Sequence, residues 1–284
     1  MKLIDSHCHI HETEFFPDPA EQEAVYQRAI EAGVGMLCVA TSEQASREAL
    51  DFVRNRENIW AVLGVHPHAA KSGCAEIGEL LKKECPRSTR AKARASGAGA
   101  AASNLLRSKA EGQAPPKKVI GIGEIGLDYY YNNSPRDVQI AVLEQQLQWA
   151  MDYDLPVSFH VREAFADFWP VFDNFHGIRG VLHSFTDTQA NLETGFSRGL
   201  YVSVNGISTF TKDTVQQRMY AAIPLEKMLL ETDAPFLTPA PLRGKMNEPK
   251  FVGRVAEHAA ELRGVSASVV SRMTTDNARA LFAI

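Results

Sequence analysis

The chain is poor in the features that most quickly fix a protein's class. Its four cysteines, Cys8, Cys38, Cys74 and Cys85, contain no C-x-x-C pair. That absence removes a disulfide framework, and two of the four fall in apolar, strand-like runs, so all read as reduced thiols of a cytosolic protein. No stretch reaches the roughly 18 consecutive apolar residues that a membrane-spanning helix needs. The start, Met1-Lys2-Leu3-Ile4-Asp5, carries charge too early for the apolar core of a secretory signal, so the expectation is a soluble, cytoplasmic protein. Neither charge sign is in large excess. A net charge of −4 and a pI near 6.2 supply no broad cationic field, so any nucleic-acid contact must come from a local patch.

What is present is apolar material in a regular rhythm. At 45% hydrophobic over 284 residues the chain can bury a large core. Apolar, β-branched-rich runs recur at 3–8, 36–41, 59–65, 119–125, 157–161, 180–184, 201–204 and 228–232. The intervals leave room for one helix each, and helical patterns cover 20–32, 44–55, 138–152 and 188–198, with a closing pair at 250–263 and 266–282. Strand and helix alternating eight times predicts an α/β fold, a single (β/α)8 TIM barrel over residues 1–284. The competitor is a doubly wound open sheet. It would gather a ligand at one crevice, whereas here the polar candidates follow at least six strands.

One segment breaks the rhythm. Residues 86–118 are rich in Ala, Gly and Ser, end near Pro115-Pro116, and carry eight Lys/Arg against the single Glu111. Such a composition cannot support a packed core, so a disordered, basic, low-complexity insertion is expected between the third helix and the fourth strand. Without it the chain approaches the typical barrel length of about 250 residues. Its place, ahead of a strand rather than behind one, puts it on the face opposite a barrel's site. The plainer reading is a tolerated surface insertion; the alternative is a basic arm for phosphate backbones or for a protein partner.

The chemistry lies at the strand ends. A single histidine on an apolar strand is usually a satisfied core residue, but coincidence at several equivalent strand ends reverses that expectation. His7 and His9 alternate on the first run and share a face, which suits two ligands on one ion, while Cys8 between them points into the core. Glu124, among the small residues of Gly121-Ile122-Gly123-Glu124-Ile125-Gly126, can bridge two ions from the barrel mouth. His160 and His183 end the fifth and sixth runs and would hold the second ion. Asp233 ends the eighth, beside the first in a closed barrel, where it can ligate and also take a proton from water. Glu231 lies deeper on the same face and is expected to support the ligands rather than join them, as is His11 past the first strand. His66 and His68, with Arg162, Lys245 and Asn247, are assigned to the substrate, as contacts for a phosphate. The set implies two divalent ions per chain, with zinc, magnesium or manganese all compatible with His and carboxylate donors. It also implies a water activated between them, with Asp233 as its general base.

These residues sit in stretches that are recognisable together: DSHCH at 5–9, GVHPH at 64–68, GEIGLDY at 123–129, LPVSFHVRE at 155–163, VLHSFT at 181–186, LLETDAPFL at 229–237 and NEP at 247–249. In these the chain resembles the TatD family of metal-dependent deoxyribonucleases, within the amidohydrolase superfamily of barrel hydrolases. The resemblance spans the chain apart from 86–118. It implies that His7, His9, Glu124, His160, His183 and Asp233 match the family's metal ligands, with Glu124 in the bridging place that a carbamylated lysine holds in related amidohydrolases. It further implies nuclease activity, 3′ to 5′ on single-stranded or frayed DNA ends in some members, and deacylation of misacylated tRNA in others. The leading expectation is therefore a DNA phosphodiesterase. The alternatives are ester or amide hydrolysis, including D-aminoacyl-tRNA deacylation, and a nuclease subunit recruited to a larger assembly through 86–118 or the last helices.

Overall fold

Eight parallel strands follow one another in chain order: β1 Leu3–Cys8, β2 Val34–Val39, β3 Ile59–Leu63, β4 Val119–Asp128, β5 Val157–Arg162, β6 Gly180–Leu182, β7 Tyr201–Val204 and β8 Met228–Leu230. The computed structural model describes residues 1–85 and 117–284. The last strand returns to the first. Cys8 and Ala234 form a parallel bridge, the His9 N–H donates to the Ala234 carbonyl at 2.8 Å, and the Asp233 N–H donates to the His7 carbonyl at 2.9 Å. This closes the barrel and sets aside the open sheet.

Parallel neighbours require crossovers. Among the described residues these contain α1 Pro19–Glu31, α2 Glu43–Val53, α3 Ala75–Glu84, α4 Arg136–Tyr153, α5 Phe165–Asp173, α6 Gln189–Ser197, the short α7 Ile207–Phe210 and α8 Thr214–Ala222, while α9 Val252–Glu261 and α10 Ala267–Phe282 follow β8. Several begin where a side-chain oxygen satisfies a free backbone N–H: Asp18 caps α1, Ser42 caps α2, Thr188 caps α6 and Asp213 caps α8.

The core has two shells. Ile4, Leu37, Val39, Val62, Ile120, Val181 and Leu229 fill the lower barrel, where Leu281 and Phe282 of α10 plug its amino-terminal end. The larger shell lies between the strands and the surrounding helices, and Cys8 belongs to it. Two buried amides of α4 tie the strand ends to this frame. Gln139 brackets Asp128, accepting from its N–H at 2.8 Å and donating to its carbonyl at 3.1 Å; Gln146 does the same for Val65 at 2.8 and 3.1 Å. Loops carrying function are thereby fixed to a rigid scaffold.

Strands β6 and β8 end two residues earlier than the apolar runs suggest, because Ser184 (φ 47°) and Asp233 (φ 60°) leave extended geometry. The expectations for the basic insertion fall on residues 86–116, outside the described residues. The described chain stops at Cys85 and resumes at Lys117, just before β4 begins at its amino-terminal end. No helix among the described residues is long and apolar enough to cross a membrane.

Candidate metal centre

Two strand irregularities aim the side chains. On β1, Asp5 pairs with Met36 but Cys8 pairs with Cys38, so β1 carries an extra residue beside His7. On β4, Ile122 pairs with Val157 and Ile125 with Phe159, so Gly123 and Glu124 together stand opposite Ser158. Bulges of this kind bend a strand and re-aim a side chain. The bulge on β4 needs glycine on both sides. A Cβ on Gly64 would lie 2.7 Å from the Gly123 carbonyl carbon, and one on Gly126 would lie 1.7 Å from the His160 oxygen. The Glu124 N–H reaches the Ala40 carbonyl at 2.7 Å, and its carboxylate, 3% exposed, comes to rest in the middle of the mouth.

The two oxygens of that carboxylate face different histidines. Oε2 lies 3.3 Å from His7 Nε2 and 3.9 Å from His9 Nε2; Asp233 Oδ1 stands behind them, 3.2 Å from His9 Nε2 and 3.9 Å from His7 Nε2. Oε1 lies 2.7 Å from His183 Nε2, 2.8 Å from His160 Nδ1 and 3.4 Å from His66 Nε2. The structure therefore brings together all six residues expected as ligands, and adds His66 to the second half. The opposite nitrogens are held by the protein. His7 Nδ1 contacts Ser158 Oγ at 3.2 Å, His9 Nδ1 meets the Val39 carbonyl at 2.8 Å and Glu12 at 3.2 Å, and His160 Nε2 meets Asp128 Oδ2 at 2.9 Å. Fixing one ring nitrogen sets which face of the imidazole is presented to the centre.

Charge follows from this packing. Burial would raise the Glu124 carboxyl, but His183, His66, His7 and the hydrogen bond with His160 hold it well below the usual carboxylate range. Asp233 is likewise lowered against burial by His9, His7 and His183. Burial opposes protonation of every ring, yet His9 is raised by Asp233 and Glu12, His183 by Glu124 and Glu231, and His160 by Asp128 and Glu124. In His7 burial wins, helped by His183, and in His66 burial and His160 push the ring down to about 4.

Whether such a centre fits metal ions is answered by its donor atoms. Three groups, His7/His9/Glu124, His66/Glu124/His160 and His7/His183/Glu231, each bring their ligand atoms within 4.8 Å of one another. His7 Nε2 is buried with no hydrogen-bond partner, although it points at two carboxylates. An orphaned imidazole nitrogen of this kind, within a set of imidazoles and carboxylates, fits divalent cations.

The other expected residues are placed as follows. Glu231, fully buried, spends its carboxylate on the Ser184 N–H at 2.7 Å, the Asn205 amide at 3.2 Å and the Ser203 hydroxyl, with His183 Nδ1 at 3.6 Å. It lies behind His183, on the side of the ring away from Glu124. His68 does not reach Glu124; its Nε2 meets Asp128 Oδ2 at 3.1 Å and its ring remains partly exposed. His11 is buried beside Glu12 at 3.9 Å. Arg162 and Lys245 are exposed at the rim. Asn247 is fully buried, its amide donating to the Thr232 and Phe236 carbonyls at 2.8 and 2.5 Å, which braces the loop after β8 and leaves no free donor facing the mouth.

Sequence reasoning missed Asp128, whose Oδ2 is shared by His160 and His68 and whose carboxyl is far below the usual range: burial opposes this, and the two histidine hydrogen bonds outweigh it. Alternation from Glu124 was the available signal, since Asp128 lies four residues on along the same strand. Asp5 was missed too. It accepts from the Thr232 hydroxyl at 2.5 Å and the Thr232 N–H at 2.9 Å, pinning β1 to the end of β8 where His7 and Asp233 meet.

A closed parallel barrel with histidines and carboxylates gathered at the carboxyl ends of its strands defines a metal-dependent hydrolase. The chain belongs to the TatD related DNase family, which matches residues 4–283. It is 30% identical over 289 residues to the uncharacterized metal-dependent hydrolase YabD of Bacillus subtilis, covering 99% of each chain. It is 32% identical over 291 residues to the 3′-5′ ssDNA/RNA exonuclease TatD of Erwinia amylovora, covering 99% of this chain and all of that one (100%). The crystal structure of YJJV, a TatD homolog from Escherichia coli K12, matches with a TM-score of 0.81 at 26% identity, covering 100% of this chain and 98% of that one.

Proposed function

We propose that the protein is a nuclease that hydrolyses phosphodiester bonds at single-stranded ends, from 3′ to 5′, using two divalent ions. The observation that carries the reading is the two-sided placement of Glu124, with His7 and His9 on Oε2 and His160, His183 and His66 on Oε1. The Erwinia relative, named as a 3′-5′ ssDNA/RNA exonuclease, supports the substrate class. In this reading His7, His9, Asp233 and Glu124 would hold one ion, and His160, His183, His66 and Glu124 the other. The ions, when bound, supply Lewis-acid polarisation of the phosphoryl group and a more acidic water.

The rest falls to the chain's own groups. Asp233, held below the usual carboxylate range, is ionised at neutral pH and accepts the proton of the attacking water as general base. Its left-handed backbone (φ 60°) is fixed by the His7 carbonyl on its N–H and by the Phe236 N–H on its carbonyl at 2.8 Å, so the carboxylate is placed before substrate arrives. Arg162 and Lys245, exposed at the rim, supply positive charge for the flanking phosphates. Asp128 and Glu231 keep the second set of imidazoles in orientation.

The test is a short single-stranded DNA labelled at either end, incubated with the metal-reconstituted protein and with Asp233→Asn. The reading expects a ladder shortening from the 3′ end with wild type and none with the variant at equal metal content. No cleavage of DNA or RNA with Mg²⁺, Mn²⁺ or Zn²⁺, or wild-type cleavage by the variant, would overturn it. Release of an amino acid from aminoacyl-tRNA with the backbone whole would reassign the same centre to ester hydrolysis.

A further inference from the structure

Seven large hydrophobic side chains are exposed among the described residues, and four of them, Tyr130, Tyr131, Phe236 and Met246, lie on just two loops at the barrel mouth. Tyr130 is 53% exposed, Tyr131 55% and Phe236 45%. Isolated exposed hydrophobics are ordinary, but a concentration beside a catalytic centre marks a contact surface. The two loops follow β4 and β8, which are diametrically opposed in a closed ring of eight strands taken in order.

Each aromatic group is tied to the ligand-bearing segment on its own side. On the β4 flank the Tyr131 ring stands edge-on to His68 at 5.3 Å and to Tyr130 at 4.8 Å, and the Arg162 guanidinium lies 4.0 Å over Tyr130 and 4.9 Å over Tyr131. The Tyr131 N–H donates to Asp128 Oδ1 at 2.9 Å, the carboxylate that also holds His160. On the β8 flank Phe236 packs edge-on to Phe15 at 5.0 Å and lies 6.4 Å from the His9 ring, and its N–H donates to the Asp233 carbonyl at 2.8 Å. The rings are thus anchored at their backbones and about half exposed, with Arg162 over one face of the tyrosine pair.

Resting on the nuclease reading of the same centre, we infer that Tyr130, Tyr131 and Arg162 on one flank and Phe236 on the other form a nucleobase clamp that seats the bases on either side of the scissile phosphate. Flat heterocycles match such surfaces. Stacking on aromatic rings and on a guanidinium plane holds single strands with little sequence preference, because every base has two π faces. In a duplex those faces are already occupied by neighbouring bases, so the clamp selects single-stranded or frayed ends.

The test is equilibrium binding, by fluorescence anisotropy, of a short oligothymidylate with non-hydrolysable 3′-terminal phosphonate linkages to the metal-loaded protein, beside the same ligand made abasic at its 3′-terminal positions. Wild type should prefer the thymidylate. Tyr130→Ala/Tyr131→Ala and Phe236→Ala should each weaken thymidylate binding roughly 5- to 150-fold, the range a lost base stack accounts for. Tyr130→Phe/Tyr131→Phe should restore it, and the abasic ligand should bind all four proteins alike. Equal binding of abasic and thymidylate ligands by wild type, or unchanged thymidylate affinity in the alanine variants, would overturn the clamp. The two readings separate by cleavage of a hydrolysable strand: base-dependent binding without cleavage retains the clamp and overturns the nuclease, and cleavage without base-dependent binding does the reverse.

Discussion

Asp128 holds His160 from behind: its Oδ2 accepts from His160 Nε2 at 2.9 Å, leaving Nδ1 to face Glu124 at 2.8 Å. The same oxygen takes His68 Nε2 at 3.1 Å. One carboxylate thus orients two imidazoles without itself reaching the centre, the arrangement by which supporting groups raise the basicity of histidine ligands.

Replacing Asp128 with Asn should keep the fold, since Gln139 grips the backbone rather than the carboxylate. It should lower metal affinity or activity by about 10- to 100-fold. Competition with a chelator measures the first and turnover the second; wild-type affinity in the variant would remove Asp128 from its supporting role.

Metal binding should release protons. His9, His160 and His183 sit above the ordinary histidine value in the metal-free protein, so they carry protons near neutrality that an ion must displace. Affinity should therefore climb as pH rises through the neutral range and flatten once these groups are neutral. Calorimetry in buffers of differing ionisation enthalpy reads the proton count directly. A titration with no buffer dependence would contradict it.

Glu124 and His66 should separate in their effect on metal content. Glu124 faces both halves, whereas His66 reaches only Oε1. Glu124→Gln should lose both ions together, and His66→Ala should lose no more than one, as elemental analysis of the loaded proteins would show.

Gly126→Ala should destabilise the fold by about 2–5 kcal/mol, from a backbone held in a glycine-favouring region (φ 154°) and a Cβ placed 1.7 Å from the His160 oxygen. Thermal unfolding would measure it. Gly73→Ala, also at positive φ (81°) but with open space around its Cβ, should bear only the conformational part of that cost.

Much of this was legible in the chain. The eight apolar runs and their spacing correspond to the eight strands, and the residues at their ends are the ones that converge. The ends themselves were less legible. Ser184 closes one apolar run and Asp233 follows another, both read as continuous strand, and nothing in alternation warns that the backbone turns to positive φ there. His66 shows the same limit. As one of two histidines flanking Pro67 it reads as a contact for substrate, yet the loop after β3 brings its Nε2 to 3.4 Å from Glu124 while His68 turns to Asp128. Asn247 reads as a polar group free to meet substrate, and the fold consumes it as a brace for backbone carbonyls.

The sequence by itself determined the barrel and which histidines and carboxylates lie at or near the ends of its strands, because burial periodicity and side-chain type along a strand are local properties. Only the tertiary structure decided which oxygen of Glu124 meets which histidine, which carboxylate stands behind each ring, and that the aromatic-bearing loops after β4 and β8 follow opposite strands of the barrel. Those relationships depend on two bulges and on ring closure, which couple residues more than two hundred positions apart, such as His7 and Asp233. No pattern along the chain encodes such a distance; it exists only once the last strand has met the first.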